Sequence, residues 1–228
     1  MIKVYYKILL LLIFFIFLFL ISYEYDVKAE KMPKLLKGVI ITIDPGHGGR
    51  DPGTRYGKLL EKDLNLEISK ALKKQLEEDG ATVYLLREND VDFSKDSDYL
   101  KKRSDLKRRI NYIESKKSDI YLSVHLNWYS DYYYGGSEIL YSTINPLNYK
   151  LALNLTESLT DAGIKTREVK KTNLFLYNHT NTVGVLMECG FLSNADDRYL
   201  LQKSDYQKKF SIAISNGIIN YIKKIWYN

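Results

Sequence analysis

The sequence predicts an α/β fold, a single-domain three-layer sandwich in which helices flank a mostly parallel, twisted sheet. Apolar, β-branched runs at residues 39–44, 120–124 and 183–187 indicate buried strands. Segments with helical spacing of apolar residues alternate with these runs, as they do in βαβ units. The chain has 228 residues. About 190 of them follow an apolar N-terminus, which is enough for one domain with a sizeable core but not for two.

The N-terminal segment indicates export. Residues 8–23 carry no charge, and as a helix they would rise roughly 24 Å, slightly less than the ~30 Å hydrocarbon core of a bilayer. Lys3 and Lys7 precede them, which predicts a cytoplasmic N-terminus and a translocated remainder. Val27-Lys28-Ala29 resembles a cleavage site but lies well beyond the apolar run, so a cleaved signal and a retained anchor both stay open. The predicted segments are a signal peptide or membrane anchor (residues 1–29), a tether carrying Pro33 (30–37) and a globular domain (38–228).

The elements of the globular domain follow one another in βαβ order. The first helix is predicted over residues 63–78, and Gly80 is its stop signal. Its apolar residues recur every four positions, at Leu64, Ile68, Leu72 and Leu76. Further helices are predicted over residues 99–115, 147–161 and 207–226. Further strands are predicted over residues 82–86 and, after the turn Gly135-Gly136, over residues 137–141.

Composition narrows the class of protein. The net charge of +6 favours an anionic surface such as phosphate-rich cell-envelope polymer, but it is too small and too scattered to indicate a nucleic-acid partner. The densest basic stretch, residues 101–109, is interpreted as a solvated helix face. The single cysteine, Cys189, excludes an internal disulfide framework and a zinc ribbon, and is interpreted as a small buried apolar residue.

Two histidines follow predicted strands and are candidate metal ligands. His47 lies in the glycine-rich turn after the first strand, and His125 directly follows the strand over residues 120–124. Open α/β sheets bind ligands at the carboxyl ends of their strands, which would bring the two imidazoles together. The alternatives are a surface histidine in a flexible loop for His47 and a hydrogen-bonded core histidine for His125. His179 lies in a polar stretch and is interpreted as a surface residue.

Two carboxylates are candidates to complete such a site, because a catalytic zinc ion usually takes three protein ligands. Glu61 lies just before the first helix, from where it can reach toward the strand ends. Its position is equally well explained by attraction to the positive helix N-terminus. Glu188 directly follows the apolar run over residues 183–187. A buried carboxylate needs a positive partner, which is either a nearby metal centre or a salt bridge.

Four segments carry a resemblance to a known family. They are residues 43–49 (IDPGHGG), 61–66 (EKDLNL), 123–127 (SVHLN) and 188–194 (ECGFLSN). Together and in this order they resemble the zinc-dependent N-acetylmuramoyl-L-alanine amidases of bacterial cell walls. The match covers roughly residue 38 to the C-terminus.

The resemblance implies that His47, Glu61 and His125 bind Zn²⁺ and that Glu188 is the catalytic carboxylate. It implies that residues 38–228 form a zinc amidase catalytic domain. The implied reaction is hydrolysis of the amide bond between N-acetylmuramic acid and L-alanine in peptidoglycan. Zinc would polarise the lactyl carbonyl, and Glu188 would transfer protons to and from the reacting groups.

Other positions match or depart from the family pattern. Arg87-Glu88-Asn89-Asp90 resembles the family's Arg-x-x-Asp stretch and is interpreted as structural. Ile113-Glu114 stands where an Ala-Asn pair is usual, and Leu126 stands where a small residue is usual. These departures concern local packing and not the implied ligand set.

The short form of the chain indicates a subgroup. An N-terminal apolar segment and the sequence Glu-Cys-Gly-Phe are similar to the amidases of endospore formers that prepare cortex peptidoglycan for muramic-lactam formation. Some relatives in the family insert a long inhibitory helix after this strand. Here only twelve residues separate His125 from Glu138, so we expect no such helix. We also expect no added wall-binding module. Tyr129 and residues 132–134, on the loop beyond His125, either line a sugar-binding groove or are simply exposed.

The expected partners are peptidoglycan and, if the N-terminal segment is retained, a membrane; an activating protein partner is left open. The expected location is the outer face of the cytoplasmic membrane, the cell wall or the forespore envelope. Two alternatives remain at this point. One is a non-catalytic peptidoglycan-binding scaffold, and the other is a zinc carboxypeptidase acting on wall peptides.

Overall fold

The chain divides into two compact units, Met1–Lys34 and Leu35–Asn228, and this computed structural model describes residues 2–31, 34–173 and 179–226. The first unit contains helix α1, Ile2–Lys31. Within it Tyr5–Tyr23, with a mean hydropathy of 2.5, is long and apolar enough to cross a membrane, a description that signal sequences also meet. The helix runs into the predicted tether, whose Pro33 lies outside the described residues.

The second unit is built on a six-stranded sheet with the strand order β4-β1-β5-β8-β6-β7. Strands β1, β4, β5 and β8 run parallel, β6 is antiparallel to β8, and β7 is parallel to β6. The sheet is thus mostly parallel, as predicted. Its strands are β1 Ile40–Pro45, β4 Thr82–Leu85, β5 Ile120–Asn127, β6 Glu138–Tyr141, β7 Lys170–Lys171 and β8 Val183–Phe191, and a separate hairpin joins β2 Arg55–Tyr56 to β3 Leu59–Leu60.

Helices cover both faces of the sheet, which confirms the predicted three-layer sandwich. The larger apolar core joins one sheet face to helices α2, α4 and α6, and a smaller core joins the other face to α3 through Ile110 and Ile113. The usual alternation of side chains along each strand divides the two faces. The helices are α2 Glu61–Glu78, α3 Lys101–Ser115, α4 Leu147–Asp161, α5 Ala195–Leu201 and α6 Ser204–Trp226.

The predicted boundaries hold closely where local signals are strong. Helix α2 ends at Glu78, and Gly80 follows it as the predicted stop. Gly80 has a φ of 100°, a left-handed backbone that suits glycine, and the Ala81 N–H donates to the Leu76 carbonyl at 2.9 Å. Helix α4 has the predicted bounds. The departures lie at the ends of elements. Helices α2 and α6 begin earlier than predicted, at Glu61 and Ser204, and α3 begins later, at Lys101. Strands β5 and β8 continue past the predicted ends, through His125 and Glu188, because each is still paired with a neighbour there.

The basic stretch at residues 101–109 is a solvated face of α3, as interpreted, except at one residue. Lys101, Lys102, Arg103 and Lys107 are exposed, but Arg109 is buried. Its guanidinium forms an ion pair with the buried carboxylate of Asp44 on β1. A cation on the inner face of α3 is therefore matched by an anion on the sheet below it, which charge counting along the sequence does not reveal.

Candidate metal site

Three of the predicted site residues meet at the carboxyl ends of the parallel strands. His47 lies in the loop after β1, Glu61 is the first residue of α2, and His125 lies near the end of β5. One ligand atom from each lies within 4.8 Å of the others. Glu61 is buried and the two histidines are half-buried. The three side chains that were predicted as metal ligands are thus brought together by the fold.

The carboxylate of Glu61 lies between the two imidazoles. Its Oε1 is 3.1 Å from His47 Nε2 and 3.0 Å from His125 Nδ1, and it also accepts the Leu126 backbone N–H. Its Oε2 accepts the Thr54 backbone N–H at 2.8 Å. Burial acts to raise the pKa of Glu61, but the hydrogen bonds from the histidines outweigh it and hold that pKa well below its usual value. Glu61 is therefore a fixed anion.

This donor set fits a zinc ion. Two imidazole nitrogens and a carboxylate oxygen are common ligands of catalytic zinc. Zinc holds such atoms at about 2.0–2.2 Å, so ligand atoms on one ion lie roughly 3.3 Å apart, close to the 3.0–3.1 Å that separates Glu61 Oε1 from the imidazole nitrogens. Attraction to the positive N-terminus of α2 does not by itself explain the position of the Glu61 carboxylate, since its oxygens face the histidines.

Glycines let these ligands approach the backbone. A Cβ atom on Gly46 would lie 2.2–2.6 Å from three ring atoms of His125, and one on Gly53 would lie 2.5 Å from Glu61 Oε2. Real Cβ atoms do not tolerate such contacts, so any side chain at Gly46 would displace the His125 ring. His47 itself has a φ of 61°, a left-handed backbone that is uncommon outside glycine. The loop is thus shaped around its ligands.

Two buried arginines donate hydrogen bonds to the backbone carbonyls of this loop. Arg109 donates to the His47 carbonyl at 2.8 Å and to the Pro45 carbonyl at 3.1 Å. Arg87 donates to the carbonyls of Pro45 and Gly46 at 3.0 and 3.1 Å. The interpretation of the Arg-x-x-Asp stretch as structural agrees with these contacts. Its Asp90 accepts the Gly49 backbone N–H at 2.7 Å.

Asp51 is a further residue at the site that sequence reasoning missed. Its Oδ2 lies 2.9 Å from His47 Nδ1, on the opposite side of the ring from Glu61, and its Oδ1 accepts the Gly53 backbone N–H. Burial acts to lower the pKa of His47, but the hydrogen bonds to Asp51 and Glu61 outweigh it and raise that pKa to about 9. The motif GGRDPG placed an acidic residue four positions after His47, which was the available signal.

Replacing Asp51 by alanine should weaken metal binding by about 10–100-fold, because a carboxylate on the second nitrogen of a ligating histidine fixes its ring orientation. Competition with a chromophoric chelator measures the affinity without depending on activity. Lys102→Met is the matched control, since Lys102 Nζ lies 3.9 Å from the same Asp51 oxygen but is exposed. Equal affinities for wild type and Asp51→Ala would contradict the orienting role.

Glu188 lies next to His125 in the sheet. The two residues are register partners on β8 and β5. Glu188 Oε2 is buried and has no hydrogen-bond partner, and the described residues offer it no ion pair, so the salt-bridge alternative is wrong. Burial, together with the charges of Glu61 and Glu138, raises the pKa of Glu188 to about 8. An unpaired carboxylate in this position is explained by a cation or a reacting group beside it.

The other residues singled out from the sequence contribute no atom to the cluster of His47, Glu61 and His125. His179 is exposed, as predicted, and Cys189 is buried. Tyr129, Tyr132 and Tyr133 are exposed on the loop joining β5 to β6, residues 128–137, which contains no helix. Tyr134 packs edge-on against Phe191, at 5.1 Å between ring centroids.

Comparison with known proteins agrees with this geometry. Residues 41–220 match the model of the family described as N-acetylmuramoyl-L-alanine amidase. The chain is 36% identical to the germination-specific N-acetylmuramoyl-L-alanine amidase of Bacillus subtilis, over 82% of this chain and 81% of that protein.

Solved structures show the same fold. The CwlD amidase of Clostridioides difficile, solved in complex with the GerS lipoprotein, is 33% identical with a TM-score of 0.77, over 82% of this chain and all of that one. The amidase AmiC2 of Nostoc punctiforme is 28% identical with a TM-score of 0.71, over 82% and 99% of the two chains. A family model that matches most of the chain and a relative of 36% identity together show that the chain belongs to the N-acetylmuramoyl-L-alanine amidase family.

Proposed function

We propose that residues 38–228 form a zinc-dependent catalytic domain that hydrolyses the amide bond between N-acetylmuramic acid and L-alanine in peptidoglycan. The observation that carries this proposal is the unpartnered carboxylate of Glu188 beside the converged His47, Glu61 and His125. In this proposal those three residues hold the zinc ion and Glu188 is the catalytic carboxylate.

A bound zinc ion would supply Lewis-acid chemistry, polarising the lactyl carbonyl and lowering the pKa of water. The residues of the chain supply positioning and proton transfer. Glu61 is kept anionic by its histidine and backbone donors. Glu188 accepts a proton from the attacking water and returns a proton to the departing amine, the dual role of a general acid–base. The raised pKa of Glu188 suits the second half of this role.

The substrate surface is proposed to include the tyrosine loop. Tyr129 and Tyr132 are exposed at the same edge of the sheet as Glu188, because the loop follows β5 directly. Aromatic rings present flat apolar faces with a polar tip, which suits the faces of the glycan sugars. We expect this loop to contribute to binding of the polymer and not to the chemical step.

The cellular role is proposed from the relatives. One is a germination-specific amidase, and another was solved with a lipoprotein. We propose that this chain acts on spore-cortex peptidoglycan in preparation for muramic-lactam formation, with a membrane-attached protein as its activating partner. The apolar helix at Tyr5–Tyr23 would bring it to the outer face of the membrane, either as a retained anchor or as an export signal. No nucleic acid is involved.

Removing the metal should abolish activity. Dialysis of the full-length protein in detergent against a chelator is expected to leave no release of stem peptides from peptidoglycan, and added Zn²⁺ should restore release. The reason is that His47, Glu61 and His125 offer a donor set for one ion. Mass spectrometry of the digests measures new lactyl carboxylates and free L-alanine amino groups.

The same spectra separate the alternatives. A carboxypeptidase would remove only terminal residues from the stem peptides, and a binding scaffold would give stoichiometric zinc but no products with any partner or substrate. Either result would reject the amidase proposal. A magnesium-reconstituted sample is the control for non-specific effects of cations.

A further inference from the structure

A third carboxylate lies in line with the candidate site. Strands β5, β8 and β6 are neighbours in the sheet, and Glu188 on β8 is the register partner of His125 on one side and of Glu138 on the other. Directly opposed residues of an antiparallel pair have Cβ atoms about 4.5–5.5 Å apart on the same face of the sheet. Glu138 therefore stands beside Glu188, on the side away from His125.

Glu138 is a buried residue whose carboxylate has no protein partner. The residue is 6% exposed. Among the described residues its carboxylate has no hydrogen bond and no ion pair, and the charge beside it is that of Glu188. A carboxylate with so little exposure favours a ligand that supplies a positive charge. Two such carboxylates side by side favour a cation between them.

Glu138 faces a groove, not the protein core. The groove is about 560 Å³ in volume and is also lined by Tyr134, Arg167 and Lys170. Arg167 is already engaged there: its guanidinium lies 3.1 Å from the Tyr134 ring centroid, and its Nε donates to the Gly135 carbonyl at 3.1 Å. Among the described residues Lys170 lines the groove without an ion pair to Glu138. A ligand in the groove could therefore supply the cation that pairs with Glu138.

The proposed reaction produces such a cation. In amide hydrolysis the C–N bond breaks and a C–O bond forms from water. One hydrogen of that water goes to nitrogen, and the proton of the resulting carboxylic acid follows it, leaving a carboxylate on the lactyl side and an ammonium on L-alanine. The scissile amide offers one N–H donor, whereas the ammonium offers three and a positive charge.

We propose that Glu138 binds the amino group of the departing peptide, so that the groove beside β6 is the subsite for the L-alanine end of the stem peptide. The proposal rests on the proposed function. In this arrangement Glu188 delivers the proton and Glu138 receives the resulting ammonium, with Tyr134 and Arg167 forming the wall along which the peptide leaves. The contact strengthens as charge develops on nitrogen, so it favours the products and the transition state over the bound substrate.

The test compares two peptides that differ only at this amino group. L-Ala-D-isoglutamine with a free amine and its N-acetylated form are titrated into full-length, zinc-loaded protein in detergent, and their affinities are measured by calorimetry. Wild type is expected to prefer the free amine by about tenfold or more, as for charge-assisted hydrogen bonds. In Glu138→Gln this ratio should fall to near one, while the affinity for the acetylated peptide stays the same.

The controls keep the outcome decisive. Glu67→Gln removes an exposed carboxylate of α2 and should retain the wild-type ratio. Glu138→Asp keeps the charge and should retain part of the preference if Glu138→Gln fails to fold. The inference is overturned if wild type binds both peptides equally, or if a folded Glu138→Gln keeps the wild-type preference. If Glu138→Gln fails to fold, a folded Glu138→Asp that binds both peptides equally overturns it instead. Absence of any peptide release from peptidoglycan by wild type would instead reject the proposed function.

Discussion

Replacing Glu188 by glutamine is expected to lower kcat by about 10²–10⁴-fold, the range typical for loss of a general acid–base. Glutamine keeps the shape of the side chain but neither accepts the proton of water nor returns one to the amine. Because Glu188 is not among the three residues whose ligand atoms converge, zinc should remain bound. The expected result is thus an inactive protein with its metal in place, measured by stem-peptide release and by metal analysis of the same sample.

The matched variant is Glu61→Gln, which should lose both properties. Glu61 Oε1 is within 3.1 Å of a nitrogen of each histidine, so its charge belongs to the ligand set. If Glu188→Gln released zinc as Glu61→Gln does, Glu188 would be a ligand and not the proton carrier. If Glu188→Gln retained wild-type kcat, the general acid–base role would be wrong, whatever the metal content.

Much of this fold was predictable because its signals are local. The apolar β-branched runs mark the buried strands, and the spacing of four from Leu64 to Leu76, with Gly80 after it, marks α2. The convergence of the candidate site residues was predictable for a related reason. Side chains that directly follow parallel strands meet at one edge of the sheet, so His47, His125 and Glu188 could be brought together before any coordinates were known.

What the sequence did not reveal depends on contacts between distant segments. Arg109 looks like one more cation of a basic helix until Asp44, 65 positions earlier, is found beneath it. Asp51 has no sign of a special role in the sequence, and only the structure shows its carboxylate in contact with the His47 ring. Glu138 stands beside Glu188 only because β6 joins the sheet antiparallel to β8. Neither the spacing of apolar residues nor the composition of the sequence indicates this order of strands.

The buried pair of Arg109 and Asp44 leads to the largest expected effect on stability. Arg109→Met should lower the free energy of unfolding by about 3–5 kcal/mol, because removing one member of a buried ion pair leaves the other charge uncompensated. Among the described residues, Ser123 would be the remaining side-chain hydrogen-bond donor to Asp44. Denaturant unfolding of the full-length protein in detergent, followed by tryptophan fluorescence, measures the change.

Arg108→Met is the matched control, since Arg108 is the neighbouring residue on α3 but pairs with Asp98 at the surface, and its loss should lower the free energy of unfolding far less. The two variants also differ at the site. Arg109 donates to the His47 carbonyl, so Arg109→Met should weaken zinc binding as well, whereas Arg108 makes no such contact with the loop.

Equal stability losses in the two variants would mean that the buried pair contributes no more than a surface one. A destabilised Arg109→Met with unchanged zinc affinity would show that the arginine supports the fold without positioning His47, and that the other contacts of the loop, such as those of Arg87 and Asp90, maintain its geometry.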